Sequence, residues 1–108
     1  MPDYTPQQVA ELRSGQAIQL IDVRQEHEWE AGRIPGARHL ELTQLGAQAA
    51  TIERDRPVIF YCRSGARSGM ATEAFAEAGY DAYNMAGGLL AWQAAGLPME
   101  PDGGYVAD

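Results

Sequence analysis

The residues best suited to covalent chemistry lie in one short turn that contains the single cysteine of the chain, Cys62. The turn has the sequence Cys62-Arg63-Ser64-Gly65-Ala66-Arg67-Ser68. An apolar run typical of a strand precedes it, and a segment typical of a helix follows it. The first turn of a helix has N–H groups without partners and the positive end of the helix dipole, which together favour an anion. The pattern therefore predicts a nucleophile that ionises more easily than free cysteine, whose pKa is about 8.5.

The same turn predicts an anion-binding ring around the sulfur. Gly65 allows the backbone to curl so that successive N–H groups point inward, and Arg63 and Arg67 add fixed positive charge. Arg63 is expected to face the entrance, and the hydroxyl of Ser64 to donate to the sulfur. The competing interpretation is a buried cysteine that packs as a small hydrophobic residue. The flanking arginines and the strand–turn–helix context favour the nucleophile.

Composition and charge exclude several other kinds of protein. Fifteen acidic residues against eight basic ones give a net charge of −7, which argues against nonspecific binding to nucleic acid or anionic membranes. All the basic residues are arginines, so Schiff-base chemistry, pyridoxal phosphate attachment and a P-loop lysine are excluded. One cysteine with His27 and His39 provides too few ligands for a tetrahedral zinc site. We therefore expect neither a metal nor a cofactor.

Segments typical of strands and of helices alternate along the chain. Apolar, β-branched runs predict strands at residues 18–23, 37–40, 57–62 and 80–85. Capping residues, glycine stop signals and apolar spacing predict helices at 5–15, 42–50, 68–78 and 88–95, with one helical turn near 26–30. The apolar face of the third helix is assigned to Met70, Ala71, Ala74, Phe75 and Ala78. Such alternation predicts an α/β fold, a three-layer domain with a small, mostly parallel sheet of four or five strands and helices on both faces.

Length and composition predict one domain in the cytoplasm. A chain of 108 residues forms a single core, which we assign to residues 1–98, with residues 99–108 as a flexible acidic tail. The longest apolar runs are too short to span a bilayer. The N-terminus lacks the basic and apolar regions of a secretory signal. We therefore expect a cytoplasmic protein with no nucleic acid and no membrane among its partners.

Four segments resemble, in the same order, the motifs of the rhodanese-like sulfurtransferase family. The Cys-x4-Arg spacing of residues 62–67 resembles its active-site loop, and residues 20–24, Leu-Ile-Asp-Val-Arg, resemble its strand-end motif (L/I)(L/I)DVR. Residues 28–37 resemble E-(F/W/Y)-x-x-G-H-I-P-G-A, with Arg33 where histidine is commoner. Residues 84–92 resemble the closing L-x-G-G-x-x-x-W. The resemblance covers about residues 5–97 and implies a rhodanese-like domain.

This resemblance implies sulfur transfer through a persulfide on Cys62. The thiolate would attack the outer sulfur of a small anionic donor such as thiosulfate. A thiophilic acceptor, such as cyanide, a thiol or a protein cysteine, would then collect that sulfur. The residues expected to bind the donor and the persulfide are Arg63, Ser64, Gly65, Ala66 and Arg67. Two successive displacements predict ping-pong kinetics.

Three further polar residues are assigned supporting roles beside the nucleophile. Asp22 and Arg24 lie at the carboxyl end of a predicted strand, where ligands gather in α/β folds. Asp22 is expected to orient a loop arginine or to hold backbone donors. Arg24 is expected to pair with Glu28 or Glu30. Ser68 is expected to cap the following helix or to donate to the sulfur.

Two other functions stay open at this point. Cysteine-dependent phosphatases and arsenate reductases use a related loop, but tyrosine phosphatases have Cys-x5-Arg. Their additional residue adds about 3.5 Å of chain, which makes room for a phosphoryl group, so the shorter loop favours sulfur. A sulfur-relay or regulatory binding module with little free turnover would carry the same loop as an enzyme.

Overall fold

In the computed structural model, which describes residues 3–108, five parallel strands form one sheet. The strands are β1 (Asp3–Tyr4), β2 (Gln19–Asp22), β3 (Arg38–His39), β4 (Val58–Tyr61) and β5 (Ala82–Met85). Their order across the sheet is β1-β5-β4-β2-β3, so β4, which leads into Cys62, is the central strand. The predicted parallel sheet is confirmed. The two-residue β1 escaped prediction because so short a segment shows no periodicity.

Helices connect these strands within the described part of the chain. They are α1 (Pro6–Gly15), α2 (Glu26–Ala31), α3 (Leu45–Gln48), α4 (Ala66–Glu77) and α5 (Gly88–Ala94). Short 3-10 turns, Leu42–Gln44 and Ala49–Thr51, flank α3, so the helix predicted at 42–50 is divided into three pieces. Thr5 caps α1 through a reciprocal pair of hydrogen bonds with Gln8, as expected for a threonine before proline. None of the described helices combines the length and apolar character of a membrane span.

Alternate residues of the central strand face two separate hydrophobic cores. Phe60 and then Cys62 pack into the core that includes Phe75 of α4. Tyr61 points to the opposite face and packs into the core that includes Trp92 of α5. This two-residue alternation gives the three-layer architecture, since each side of the sheet is covered by helices. Cys62 therefore lies on the α4 side of the sheet.

The buried face of α4 differs from the predicted one. The helix begins at Ala66, and its buried residues are Ser68, Gly69, Ala71, Thr72 and Phe75. Met70 is 64% exposed, and Ala74 and Ala78 are also exposed, so the assignment of these three residues to the apolar face was wrong. Two polar side chains take their place because their hydroxyl groups are bonded internally: Thr72 donates to the Ser68 carbonyl, and Ser68 donates to Asn84.

The segment predicted as a flexible tail makes backbone contacts with the domain. The backbone N–H groups of Arg33 and Glu100 each donate to the other residue's carbonyl at 2.9 Å. Tyr105 donates to the Ala31 carbonyl at 2.9 Å, and a Cβ on Gly32 would lie 2.7 Å from the Tyr105 nitrogen. Residues 99–108 therefore pack across the end of α2 in the structure. Their flexibility and the domain boundary at residue 98 stay predictions.

Candidate active site

Cys62 follows β4 directly and lies at the carboxyl edge of the sheet, where ligands collect in α/β folds. The chain then turns sharply, with Gly65 as the N-cap of α4 at φ +106°. Glycine is favoured there because a side chain strains this left-handed conformation. The turn aims the N-terminus of α4 at the cysteine sulfur.

Three hydrogen-bond donors surround the sulfur of Cys62. The N–H of Gly65 donates to Sγ at 3.0 Å, and the N–H of Ser68 donates at 3.5 Å. The Ser68 hydroxyl oxygen lies 3.3 Å from the same sulfur. Backbone donors held in this way stabilise a negative charge without any rearrangement when the charge appears. Donors from Gly65 and Ser68 therefore face the sulfur, while the binding of an anion by this ring stays a prediction.

These donors determine the acidity of the thiol. Burial raises the pKa of Cys62 and is the largest single influence, because a buried thiolate loses its hydration. Hydrogen bonds from these three donors lower the pKa, and the backbone N–H of Ser64 adds a smaller contribution of the same sign. The donors together outweigh burial, so the pKa of Cys62 lies below its ordinary value. The thiol is suited to act as a thiolate nucleophile.

The two arginines of the turn have different surroundings. Arg63 is 36% exposed, and its Nη2 lies 2.9 Å from a carboxylate oxygen of the fully exposed Asp108. Such surface pairs contribute little, so the Arg63 side chain can exchange this partner for another anion. Arg67 instead directs both Nη atoms at the carboxylate of Glu28, at 2.8 and 2.9 Å. Glu28 is buried, so this bidentate pair ties α4 to α2.

The N-terminus of α5 holds the other side of the turn. The N–H groups of Leu89 and Leu90 donate to the carbonyls of Cys62 and Arg63, at 2.8 and 3.1 Å. Gly88, at φ +61°, approaches so closely that a Cβ there would lie 2.5 Å from the Cys62 carbonyl oxygen. Glycine at position 88 thus lets the N-terminus of α5 approach closely to the backbone of the loop that begins at Cys62, here called the cysteine loop.

A profile of the rhodanese-like domain family matches residues 5–95. The chain belongs to this family. A sulfurtransferase of Allochromatium vinosum is 37% identical over 94 residues, which are 85% of this chain and 88% of the relative. The thiosulfate sulfurtransferase GlpE of Actinobacillus succinogenes is 36% identical over 99 residues, 91% of this chain and 89% of GlpE. The crystal structure of a rhodanese-related protein from Thermoplasma volcanium, 24% identical, superposes with a TM-score of 0.86 over 93% of this chain and 98% of its own.

In this rhodanese-like domain, Asp22 and Arg24 form a buried ion pair. Arg24 donates to the Asp22 carboxylate through Nε at 2.9 Å and Nη2 at 2.7 Å, and neither side chain is exposed. Burial lowers the pKa of Arg24, but the hydrogen bonds and the charge of Asp22 together raise the pKa by more than burial lowers it. The guanidinium therefore stays charged. The expectation that Arg24 pairs with Glu28 or Glu30 was wrong, since Asp22 takes Arg24 and Arg67 takes Glu28.

The Asp22–Arg24 pair holds backbone groups next to the site without touching the sulfur. Asp22 also accepts from the backbone N–H of Arg24 at 2.9 Å, which is the expected role of holding a backbone donor. The Nη2 of Arg24 also donates to the Gly32 carbonyl at 2.7 Å, just beyond the end of α2. Because α2 carries Glu28, the pair helps to position the carboxylate that holds Arg67.

Two residues of the site were not predicted from the sequence, namely Glu28 as the partner of Arg67 and Asn84 as a partner of the loop. Asn84 lies in β5, accepts from the Ser68 hydroxyl at 2.6 Å and donates to the Gly65 carbonyl at 3.2 Å. The available signal was a polar residue inside an otherwise apolar strand, which requires a partner when it is buried. Ser64 was expected to donate through its hydroxyl, but it lowers the pKa of Cys62 through its backbone N–H.

Glu28→Gln is expected to destabilise the domain at neutral pH and to remove a pH dependence in acid. The Arg67 hydrogen bond lowers the pKa of Glu28 from 4.5 to about 2. A carboxyl with a lower pKa in the folded state stabilises the protein above pH 4.5 and loses this effect as the pH falls toward 2. We expect Glu28→Gln to lower the free energy of unfolding by about 1–3 kcal/mol at pH 6, measured by urea denaturation.

The difference in the free energy of unfolding between wild type and Glu28→Gln should decrease steadily as the pH falls from 4.5 to 2. Glu30→Gln, an exposed residue of the same helix, is the matched control and should have little effect at any pH. A Glu28→Gln difference that stays constant down to pH 2.5 would contradict the ion-pair assignment.

Proposed function

We propose that this rhodanese-like domain is a sulfurtransferase that carries a sulfane sulfur as a persulfide on Cys62. The observation that carries the proposal is the ring of donors around Sγ, in which Gly65 and Ser68 provide N–H groups. The same ring suits both a thiolate and the negative outer sulfur of a persulfide. The similarity to a thiosulfate sulfurtransferase supports thiosulfate as the donor.

The first half-reaction loads the cysteine. The Cys62 thiolate attacks the outer sulfur of thiosulfate and forms a new S–S bond. The sulfur–sulfur bond of thiosulfate breaks, and sulfite leaves with its electron pair. Arg63 and the N–H groups of the Ser64–Ala66 turn are proposed to bind the anionic donor, while Arg67, held by Glu28, adds positive charge beside it. The charges balance without an oxidant or a reductant.

The second half-reaction delivers the sulfur. A thiolate or cyanide attacks the outer sulfur of the persulfide, the S–S bond breaks, and the Cys62 thiolate is regenerated. Only 1% of the Cys62 surface is exposed, so the thiolate is accessible only to a donor that presents one small terminal atom. The outer sulfur of a persulfide extends about 2 Å beyond Sγ. We therefore propose that the loaded sulfur is more accessible to an acceptor than the cysteine itself.

The proposed compartment is the cytoplasm, where a thiol stays reduced between turnovers. A free enzyme and a dedicated relay differ in how fast the second half-reaction occurs with small acceptors. Thiocyanate formation from thiosulfate and cyanide, measured over a grid of both concentrations, should give the parallel reciprocal plots of ping-pong kinetics. Loading without turnover would identify the domain as a relay, and hydrolysis of an aryl phosphate would identify a phosphatase.

Intact mass spectrometry after incubation with thiosulfate tests the reaction class directly. We expect the wild-type mass to increase by one sulfur atom, cyanide to reverse the increase, and Cys62→Ser to show none. The matched control is Cys62→Ser combined with Ser14→Cys, which places one thiol on the exposed end of α1, outside the donor ring. This control should not load. An unmodified wild type, or equal loading of the control, would refute the proposed persulfide.

A further inference from the structure

The hydroxyl of Ser68 lies between two acceptors that compete for its single hydrogen. Its oxygen lies 2.6 Å from Oδ1 of Asn84 and 3.3 Å from Sγ of Cys62. All three side chains are buried, so water cannot replace a lost partner freely. A hydroxyl has one hydrogen to donate, and each acceptor can receive it only if the other does not.

The orientation of the Asn84 amide follows from its second contact. Nδ2 lies 3.2 Å from the carbonyl oxygen of Gly65, which can only accept. The flipped amide would place its oxygen against that carbonyl oxygen, with no hydrogen between them. The amide oxygen therefore faces Ser68, and the short distance of 2.6 Å requires the Ser68 hydrogen to lie between the two oxygens.

We propose that Asn84 is a positioning residue for the Ser68 hydroxyl. Asn84 accepts the hydrogen bond from this hydroxyl while the Cys62 sulfur is uncharged, and the hydroxyl donates to the sulfur instead when the sulfur becomes a thiolate. The hydroxyl is thus a two-position donor, directed at Asn84 in the thiol and at Sγ in the thiolate. Breaking the contact with Asn84 opposes ionisation, so Asn84 reduces the thiolate fraction that Ser68 would otherwise produce. This limits the acidity of the nucleophile.

This role has a consequence for each half-reaction. The inference rests on the proposed function in so far as Cys62 reacts as a thiolate. A less acidic thiol gives a more nucleophilic thiolate, which favours attack on the donor. Once the outer sulfur carries the charge, Sγ no longer needs the hydroxyl, and the hydrogen returns to Asn84. Ser68 and Asn84 therefore adjust the donor set to the charge on the sulfur.

Among the described residues, the side chains of Ser68 and Asn84 hydrogen-bond to no charged group, so substitutions there remove no ion pair around Cys62. From α4, Arg67 is the cation whose charge acts on the sulfur, and Glu28 of α2 compensates it. From the end of β2, Asp22 and Arg24 neutralise each other, and Arg63 pairs with Asp108. The sequence of α5 contains no charged residue. A shift in Cys62 ionisation on changing Asn84 thus reports on hydrogen bonding.

A double-mutant cycle tests the proposal through the thiolate fraction. Asn84→Ala, Ser68→Ala and the combined variant are compared with wild type by the pH dependence of the ultraviolet absorbance of the Cys62 thiolate, with Cys62→Ser as the blank, because absorbance needs no reagent to reach the buried sulfur. Asn84→Ala also removes the contact with the Gly65 carbonyl, and the Ser68→Ala background measures that effect alone. With Ser68 present, we expect Asn84→Ala to increase the thiolate-to-thiol ratio about two- to tenfold relative to its effect in the Ser68→Ala background.

An equal effect of Asn84→Ala in both backgrounds, or a smaller ratio when Ser68 is present, would overturn the proposal. If the alanine variant does not fold, Asn84→Ser replaces it, because the shorter side chain cannot keep the contact with Ser68. The thiolate absorbance does not depend on sulfur transfer. A failure of the cycle is therefore distinguishable from a failure of persulfide formation, which mass spectrometry reports separately.

Discussion

Asp22→Ala is expected to lower the free energy of unfolding by about 3–5 kcal/mol, because it leaves Arg24 charged, buried and without its carboxylate. Neither side chain is exposed, and Arg24 donates to both carboxylate oxygens. Domains of this size are stable by about 5–15 kcal/mol in total, so the variant should lie close to the limit of folding. Urea denaturation followed by circular dichroism measures the loss.

The double variant Asp22→Leu with Arg24→Met separates the cost of an unpaired charge from the cost of losing a favourable interaction. Replacing a whole buried pair by apolar residues is often neutral, whereas removing one member is not. We therefore expect the double variant to be more stable than Asp22→Ala, although the Gly32 carbonyl also loses its donor. If the double variant is as unstable as the single one, the pair contributes a net stabilisation that the charge argument does not explain.

The expected loss also identifies what the Asp-x-Arg segment does for the site. The pair lies at the end of β2, and its third contact is the carbonyl that follows α2. The same helix carries Glu28, which holds Arg67. Asp22 and Arg24 therefore act on the cysteine loop indirectly. They position α2, whose Glu28 holds Arg67, and they do not contact the sulfur.

The features predicted well from the sequence are those with strong local signals. The run before Cys62 is short, apolar and β-branched, which suits a strand buried on both faces, and it forms the central strand β4, whose four residues are all buried. Thr5 followed by proline begins α1, and Gly79 follows the end of α4. Each of these signals lies within a few residues of its effect. The order of such segments is enough to predict a parallel α/β sheet.

The contacts that complete the site have no local signal. Glu28 and Arg67 are 39 residues apart, and Ser68 and Asn84 are 16 apart. Nothing near Arg24 in the sequence distinguishes Asp22 from Glu28 as its partner, because the choice depends on where α2 packs. The face of α4 was misassigned for the same reason. Ser68 and Thr72 are buried only because tertiary and helical partners satisfy their hydroxyl groups.

Gly88→Ala is expected to reduce kcat/KM for sulfur transfer by about 100-fold, since displacements of about 1 Å in a catalytic site have effects of this size. An alanine Cβ at this position would lie 2.5 Å from the Cys62 carbonyl oxygen and 2.6 Å from the carbonyl carbon and oxygen of Arg63. These are backbone atoms, so the clash is relieved only if the cysteine loop or the start of α5 moves. Either movement displaces the N–H donors of Leu89 and Leu90 from the loop carbonyls.

Gly96→Ala provides the matched control for this prediction. Gly96 also has a positive φ, +73°, but a Cβ there would have no neighbour within 4 Å. Its substitution introduces only the left-handed strain, about 1–2 kcal/mol in the free energy of unfolding, with unchanged kcat/KM. Gly88→Ala should be less stable than Gly96→Ala and should also load sulfur more slowly by mass spectrometry. Equal activity of the two variants would show that the close approach of α5 does not position the cysteine loop.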